Sequence, residues 1–303
     1  MRVAIYTLGC KVNQYETQAM EQELLRRGHT LVPAETEADG YIVNTCSVTA
    51  ISDKKSRQMI RRCHKLNPNA VVAACGCYVQ THPDEAAGLD IDLIAGTGDR
   101  MAFLDLFEQA AGEKQPLTLL DDALRRRDFE VLPAGGMAER TRAMLKVEDG
   151  CVNFCTYCIV PYVRGRERSR DPERIIDEVR ELVADGFKEI TLLGQNVNSY
   201  GKDLGTGYDF ADLLTDLTVQ GVRSVAFVRS RRGAELISVI AQEKLAEVDR
   251  SLVRRVAAYR GGYLPEERRA LERDLHSGEL LGLAATTALE LGVDVSGLDA
   301  VVI

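Results

Sequence analysis

The chain has 303 residues, with 45% hydrophobic and 28% charged residues, the balance of a soluble globular protein long enough for two domains. Its net charge of −8 does not mark a nucleic-acid binder. Basic residues bunch at 54–65, 124–127 and 164–170, and such bunches form a binding face or merely a solvated one. The opening MRVAIYTLGC has one positive charge and no long apolar core, so no secretory signal is expected, and no apolar run is long enough to span a bilayer. Eight cysteines in that setting point to metal or redox chemistry in a reducing, cytoplasmic compartment rather than to disulfides.

In chain order, residues 2–8 read as a strand and 14–27 as a helix closed by Gly28. Strands at 41–46, 70–76 and 91–96 alternate with helices at 48–65 and 99–112, the pattern of a parallel α/β sheet. Residues 113–142 are polar, with Pro116, Pro133 and the pair Gly135–Gly136, and read as a linker. A strand at 143–147 delivers a cysteine-rich loop. Asp171 caps the next helix, with Pro172 at its first position. Ile175, Ile176, Val179, Leu182 and Val183 share one face of that helix, and Gly186 ends it. A strand at 188–197 completes a βαβ unit whose strand ends carry chemistry, as in a (β/α) barrel.

The cysteines fall into sets. CVNFCTYC supplies Cys151, Cys155 and Cys158 in a CxxxCxxC spacing. Three thiolates this close can each hold one iron of a 4Fe-4S cluster and leave the fourth iron open; a zinc site or a chance grouping are the alternatives. Cys10, Cys46 and Cys77 each stand where a predicted strand ends, along the carboxyl edge where parallel sheets build sites. Buried cysteine also serves as a small apolar residue, which is the reading for Cys63 and Cys75 and the alternative for this triad.

TLGCKVNQYET (7–17), NTCSVT (44–49), GCYVQ (76–80) and KVEDGCVNFCTYCIVPYVRGRERSRDPE (146–173) resemble the radical-AdoMet tRNA methylthiotransferases over about residues 1–217. The resemblance implies an α/β first domain, a partial (β/α) barrel and two 4Fe-4S clusters. One cluster is auxiliary on Cys10, Cys46 and Cys77; the other, on Cys151, Cys155 and Cys158, cleaves S-adenosyl-L-methionine. It implies that the 5′-deoxyadenosyl radical takes hydrogen from C2 of a modified adenosine at tRNA position 37, where a methylthio group is installed. Tyr157 resembles the aromatic flanking the AdoMet adenine, with a core aromatic as its alternative. Gly194, Gln195 and Asn196 are expected near the AdoMet amino group, or form a plain turn. Arg164 and Arg166, with Arg168 and Arg170, are candidates for tRNA phosphate contacts, with a solvated loop as the alternative. An electron donor is also implied. TLGCKVNQYET and RSRDPE resemble the branch acting on N6-threonylcarbamoyladenosine; LLGQNVNSYG (192–201) is closer to the N6-isopentenyladenosine branch.

Residues 222–303 instead resemble the second RecA-like domain of a superfamily-2 helicase. The parts that match are the strand-and-helix entry around Phe227–Arg232 and the segment ATTALELGVDVSGLD (285–299). The expected fold class is therefore α/β throughout. Residues 1–112 form a parallel-sheet domain, 113–142 a linker and 143–217 an incomplete radical-AdoMet barrel, followed by a RecA-like fragment over 222–303. No GxxxxGK[ST] phosphate loop occurs, so a nucleic-acid-binding tail without ATPase activity is the reading of another class. On this division the barrel lacks strands, and impaired methylthiolation is expected.

Overall fold

The computed structural model describes residues 1–112, 116–132, 142–187, 189–228, 230–286, 289 and 300–302. The chain divides into two compact units: Met1–Pro133 with Gly150–Arg166, and Ala134–Asp149 with Glu167–Ile303.

The first unit is built on strands β1 (Arg2–Thr7), β2 (Thr30–Leu31), β3 (Gly40–Thr45), β4 (Val71–Gly76), β5 (Leu93–Ala95) and β6 (Leu117–Leu119). They pair in the order β2-β1-β3-β4-β5-β6, every pair parallel. Every residue of GYIVNT in β3 is buried, as a central strand covered on both faces requires. Alternate residues serve opposite faces. Tyr41, Val43, Val72 and Ala74 pack with Ile60 and Cys63, whereas Ile42, Ala73 and Cys75 pack with Met20, Leu24, Phe103 and Phe107. The helices are α1 (Lys11–Arg26), α2 (Ala50–Leu66), α3 (Cys77–Thr81), α4 (Pro83–Ala87), α5 (Arg100–Ala110) and α6 (Val160–Arg164).

Two expectations change here. Helix α1 starts before residue 14, because Cys10 is its N-cap residue in extended conformation. The segment read as a linker over 113–142 contributes β6, which adds an edge strand to β5; three residues of LTL are too few to show a period. Pro133 and Gly135–Gly136 lie outside the described residues.

The second unit contains β7 (Arg142–Lys146), β8 (Glu148–Asp149), β9 (Arg168–Ser169), α7 (Pro172–Ala184), β10 (Glu189–Leu193), α8 (Phe210–Val219) and β11 (Ser224–Phe227). It continues with α9 (Arg231–Val248), β12 (Val256–Tyr259), α10 (Pro265–Ser277), β13 (Gly282–Ala285) and β14 (Ala300–Val302). Its parallel sheet has the order β12-β13-β11-β14-β10-β7, and β8 and β9 form a separate antiparallel pair. Asp171 caps α7 through Arg174 N, as its sequence predicts. The apolar face is narrower than expected, since Ile175, Val179 and Leu182 are buried while Val183 is exposed.

The expected boundary at 217–222 is not a boundary between compact units. Val222 and Ala226 share one core with Leu145, Ile190, Leu213 and Leu217, and β14 pairs with both β10 and β11. Sequence could not show this, because a parallel sheet brings together strands far apart in the chain. Of the segment 285–299, all but Ala285, Thr286 and Leu289 lies outside the described residues.

The turn from β4 into α3 needs a glycine. Gly76 has φ +98, and a Cβ there meets Thr45 O at 2.6 Å and Asn44 Oδ1 at 2.8 Å. Gly76→Ala is therefore expected to destabilise the first unit by about 1–3 kcal/mol, read as a lower urea midpoint for the full chain.

Candidate metal centres

Strand register sets the first cysteine set. Thr7 pairs with Asn44, and Asn44 and Thr45 pair with Cys75 and Gly76. The carboxyl ends of β1, β3 and β4 are thus level, and Cys10, Cys46 and Cys77 follow just beyond them. A Cβ added at Gly9 falls 2.9 Å from Cys46 Sγ, so the loop carrying Cys10 lies directly against Cys46. Asn13 joins these two loops: its Nδ2 donates to Leu8 O (2.8 Å) and Thr45 O (3.0 Å). Buried Ser56 fixes the Cys46 loop, accepting from Cys46 N and donating to Cys46 O. Cys10 is exposed, whereas Cys46 and Cys77 are buried.

Burial pushes the Cys77 thiol up to about 11; Arg164 pulls it down, and the neighbouring Cys10 and Cys46 push it up. Among the described residues no group of three or more His, Cys, Asp or Glu is placed to hold a single metal ion. Cysteine thiolates are the ligand type of iron–sulfur clusters, so the donor chemistry of these three residues fits such a group. Cys63 and Cys75 are buried in the cores on opposite faces of the sheet. Burial pushes their thiols up to about 12 and about 11, as expected for packing residues.

The second set lies in the same unit, on the excursion Gly150–Arg166. Cys151 is buried and its amide donates to Gly165 O at 2.9 Å, while Cys158 N donates to Cys155 O at 2.9 Å. Phe154 has φ +44, a left-handed residue that tightens the loop between the first two cysteines. Three thiols on so short a loop suit a cluster. Tyr157 is 88% exposed, so it is not a core aromatic. Phe154 and Tyr162, also exposed, meet edge to face at 5.7 Å.

The four arginines of 164–170 separate in the structure. Arg166 is exposed, where a phosphate can reach it. Arg164, Arg168 and Arg170 are buried and bonded to Glu16, Asp149 and Glu178 respectively, so the expected phosphate contact of Arg164 is corrected. Their acidic partners are remote in sequence except for Glu178, and a run of arginines alone gave no signal of burial.

Gly194, Gln195 and Asn196 form a half-buried turn after β10 in the second unit. The amides of Gln195 and Asn196 donate to Glu148, the latter at 2.8 Å. Sequence reasoning missed Glu148, because the nearby Lys146 pairs with Asp149 rather than with it. Its Oε1 is buried without a hydrogen-bond partner. Burial pushes its carboxyl up to about 8, against the pull of the two amides. The folded state therefore keeps a proton that the unfolded state loses above about 4.5. Stability falls as pH rises from about 4.5 to about 8. Glu148→Gln is expected to flatten that slope, so its stability relative to the parent rises with pH across the window in urea titrations.

Comparison with known proteins places these features. Residues 2–96 match the Uncharacterized protein family UPF0004, and residues 145–273 match the Radical SAM superfamily. Threonylcarbamoyladenosine tRNA methylthiotransferase MtaB of Bacillus subtilis is 43% identical over 252 residues, 82% of this chain and 54% of that protein. The tRNA-2-methylthio-N(6)-dimethylallyladenosine synthase of Moorella thermoacetica is 37% identical over 314 residues, 95% of this chain and 68% of that protein. The chain thus spans about half the length of the Bacillus relative. By fold it is similar to TsrM, a radical S-adenosylmethionine methyltransferase from Kitasatospora setae. The TM-score is 0.50 at 14% identity, covering 93% of this chain and 67% of that one. The superfamily match runs through residues 217–222 to 273. With six cysteines in the expected loops and a curated relative covered over two thirds of its length, the chain belongs to the radical-AdoMet tRNA methylthiotransferase family.

Proposed function

We propose that the chain carries a tRNA methylthiotransferase activity directed at C2 of N6-threonylcarbamoyladenosine at position 37. The observation that carries this reading is the convergence of Cys10, Cys46 and Cys77 at one sheet edge, in the same unit as the CxxxCxxC loop. In this reading Cys10, Cys46 and Cys77 hold an auxiliary 4Fe-4S cluster, and Cys151, Cys155 and Cys158 hold the one that engages S-adenosyl-L-methionine. The clusters and S-adenosyl-L-methionine supply the radical and sulfur-transfer chemistry. The protein's own residues bind and orient. Exposed Tyr157 offers a face for the adenine and exposed Arg166 meets a tRNA phosphate; the turn Gly194–Asn196 is a separate candidate for contact with the AdoMet amino group. An external electron donor serves the clusters, and the site of action is the cytoplasm. No helix among the described residues is long and apolar enough to cross a membrane.

The Bacillus relative's name supports the threonylcarbamoyl branch. The Moorella relative, covering 95% of this chain, favours the isopentenyl (dimethylallyl) substrate as the second reading. The Radical SAM superfamily match continues through residues 222–273, which weighs against reading 222–303 as a separate nucleic-acid-binding segment.

After anaerobic reconstitution the chain is expected to hold iron and sulfide for two clusters. The Cys151→Ala/Cys155→Ala/Cys158→Ala variant should lose one cluster and all reductive cleavage of S-adenosyl-L-methionine. Cys10→Ala/Cys46→Ala/Cys77→Ala should lose the other cluster and keep that cleavage. A zinc-only metal content sinks the reading. Nucleoside mass spectrometry of tRNA from cells expressing the chain decides the branch: a gain of the isopentenyl product alone overturns the threonylcarbamoyl assignment.

A further inference from the structure

The first unit buries a carboxylate between two guanidiniums. Glu16 and Arg100 are fully buried and Arg164 is 1% exposed. Arg100 donates to Glu16 Oε2 and to Gly96 O, both at 2.9 Å. Arg164 bonds both carboxylate oxygens of Glu16 and donates to Asn13 Oδ1 at 2.8 Å. Asn13 is the residue that joins the Cys10 and Cys46 loops. Arg164 itself ends the helix that follows Cys158, and that helix is held a second time where Thr97 Oγ1 donates to Val163 O. The helix leaving one cysteine set is thus bonded to the segment that supports the other.

The charges of this knot are held away from water. Two guanidiniums face one fully buried carboxylate. Glu130, which accepts from Arg100 N at 2.5 Å, acts on the Arg100 side and is only partly buried. Asn13 Oδ1, which accepts from Arg164 at 2.8 Å, also lies 3.8 Å from Cys10 Sγ, so the guanidinium and the first cysteine set share one acceptor. In a buried setting such charges are weakly screened.

We propose that Arg164 is a positioning residue for the first cysteine set. It ties the helix leaving the second set to Asn13 and Glu16, and its charge stabilises the reduced state of an iron–sulfur group on Cys10, Cys46 and Cys77. This rests on the cluster assignment proposed above. Adding one electron to the group makes it more negative by one charge, so a nearby cation raises its potential.

The test uses the full chain carrying Cys151→Ala/Cys155→Ala/Cys158→Ala, so that only the first set can load. It is reconstituted with iron and sulfide and titrated with dithionite while its electron paramagnetic resonance is followed. Arg164→Met leaves Glu16 paired with Arg100, and its midpoint potential is expected to shift negative. Glu16→Gln removes the compensating charge, and its midpoint is expected to shift positive. Arg164→Lys keeps the charge and should restore most of the shift. General disturbance of the fold does not give opposite signs for the two neutralising variants. Loaded variants with the parent's midpoint, or with shifts of the same sign, overturn the inference while the cluster assignment stands. If Arg164→Met fails to load, the sign of the shift in Glu16→Gln decides. A parent that takes up no iron overturns the cluster assignment and the inference with it.

Discussion

The level ends of β1, β3 and β4 are the constraint on which the first unit's chemistry depends. Parallel pairing fixes which residue follows which strand end, and a one-residue slip would turn every side chain to the other face. With Thr7 opposite Asn44 and Thr45 opposite Gly76, three cysteines separated by dozens of residues arrive at a common edge. Thr45 Oγ1 donates to Cys75 O at 2.6 Å and Leu8 N to Asn44 O at 2.9 Å, so the ladder is reinforced where the loops depart.

The strand ends were legible because each is a short apolar run stopped by a cysteine or glycine, and the period of such runs needs no tertiary information. The CxxxCxxC loop was legible because its ligands are local. What was hidden depends on partners brought from afar. Arg164 looked like surface charge, since Glu16 lies 148 residues away. Glu148 looked like an ordinary acidic residue before a glycine, because its burial comes from Gly194 and the amides after it. The edge strand β6 was too short to carry a pattern. The split at 217–222 was inferred from local motif resemblance, whereas the core that joins the two sides is assembled from both β10 and β11.

Buried charge in the two units follows the same logic with different outcomes. In the first unit Glu16 is surrounded by cations and bonds both. In the second, Asp149 meets Lys146 and Arg168 at 3.2 Å each, while its neighbour Glu148 receives only backbone amides and is pushed toward the neutral acid. Adjacent carboxylates on one two-residue strand thus meet different surroundings, Asp149 paired with two cations and Glu148 pushed toward the protonated form by burial.

The chain enters the second unit after Pro133, leaves it at Gly150 and comes back at Glu167. Neither unit is therefore a single stretch of sequence. A protein dissected at residue 133 yields a first piece without Cys151, Cys155, Cys158 and Arg164. In that piece Glu16 keeps one of its two cations, and Asn13 Oδ1 loses its guanidinium donor. Gene-level dissection of this protein into autonomous halves thus requires a rearranged chain order rather than a simple cut.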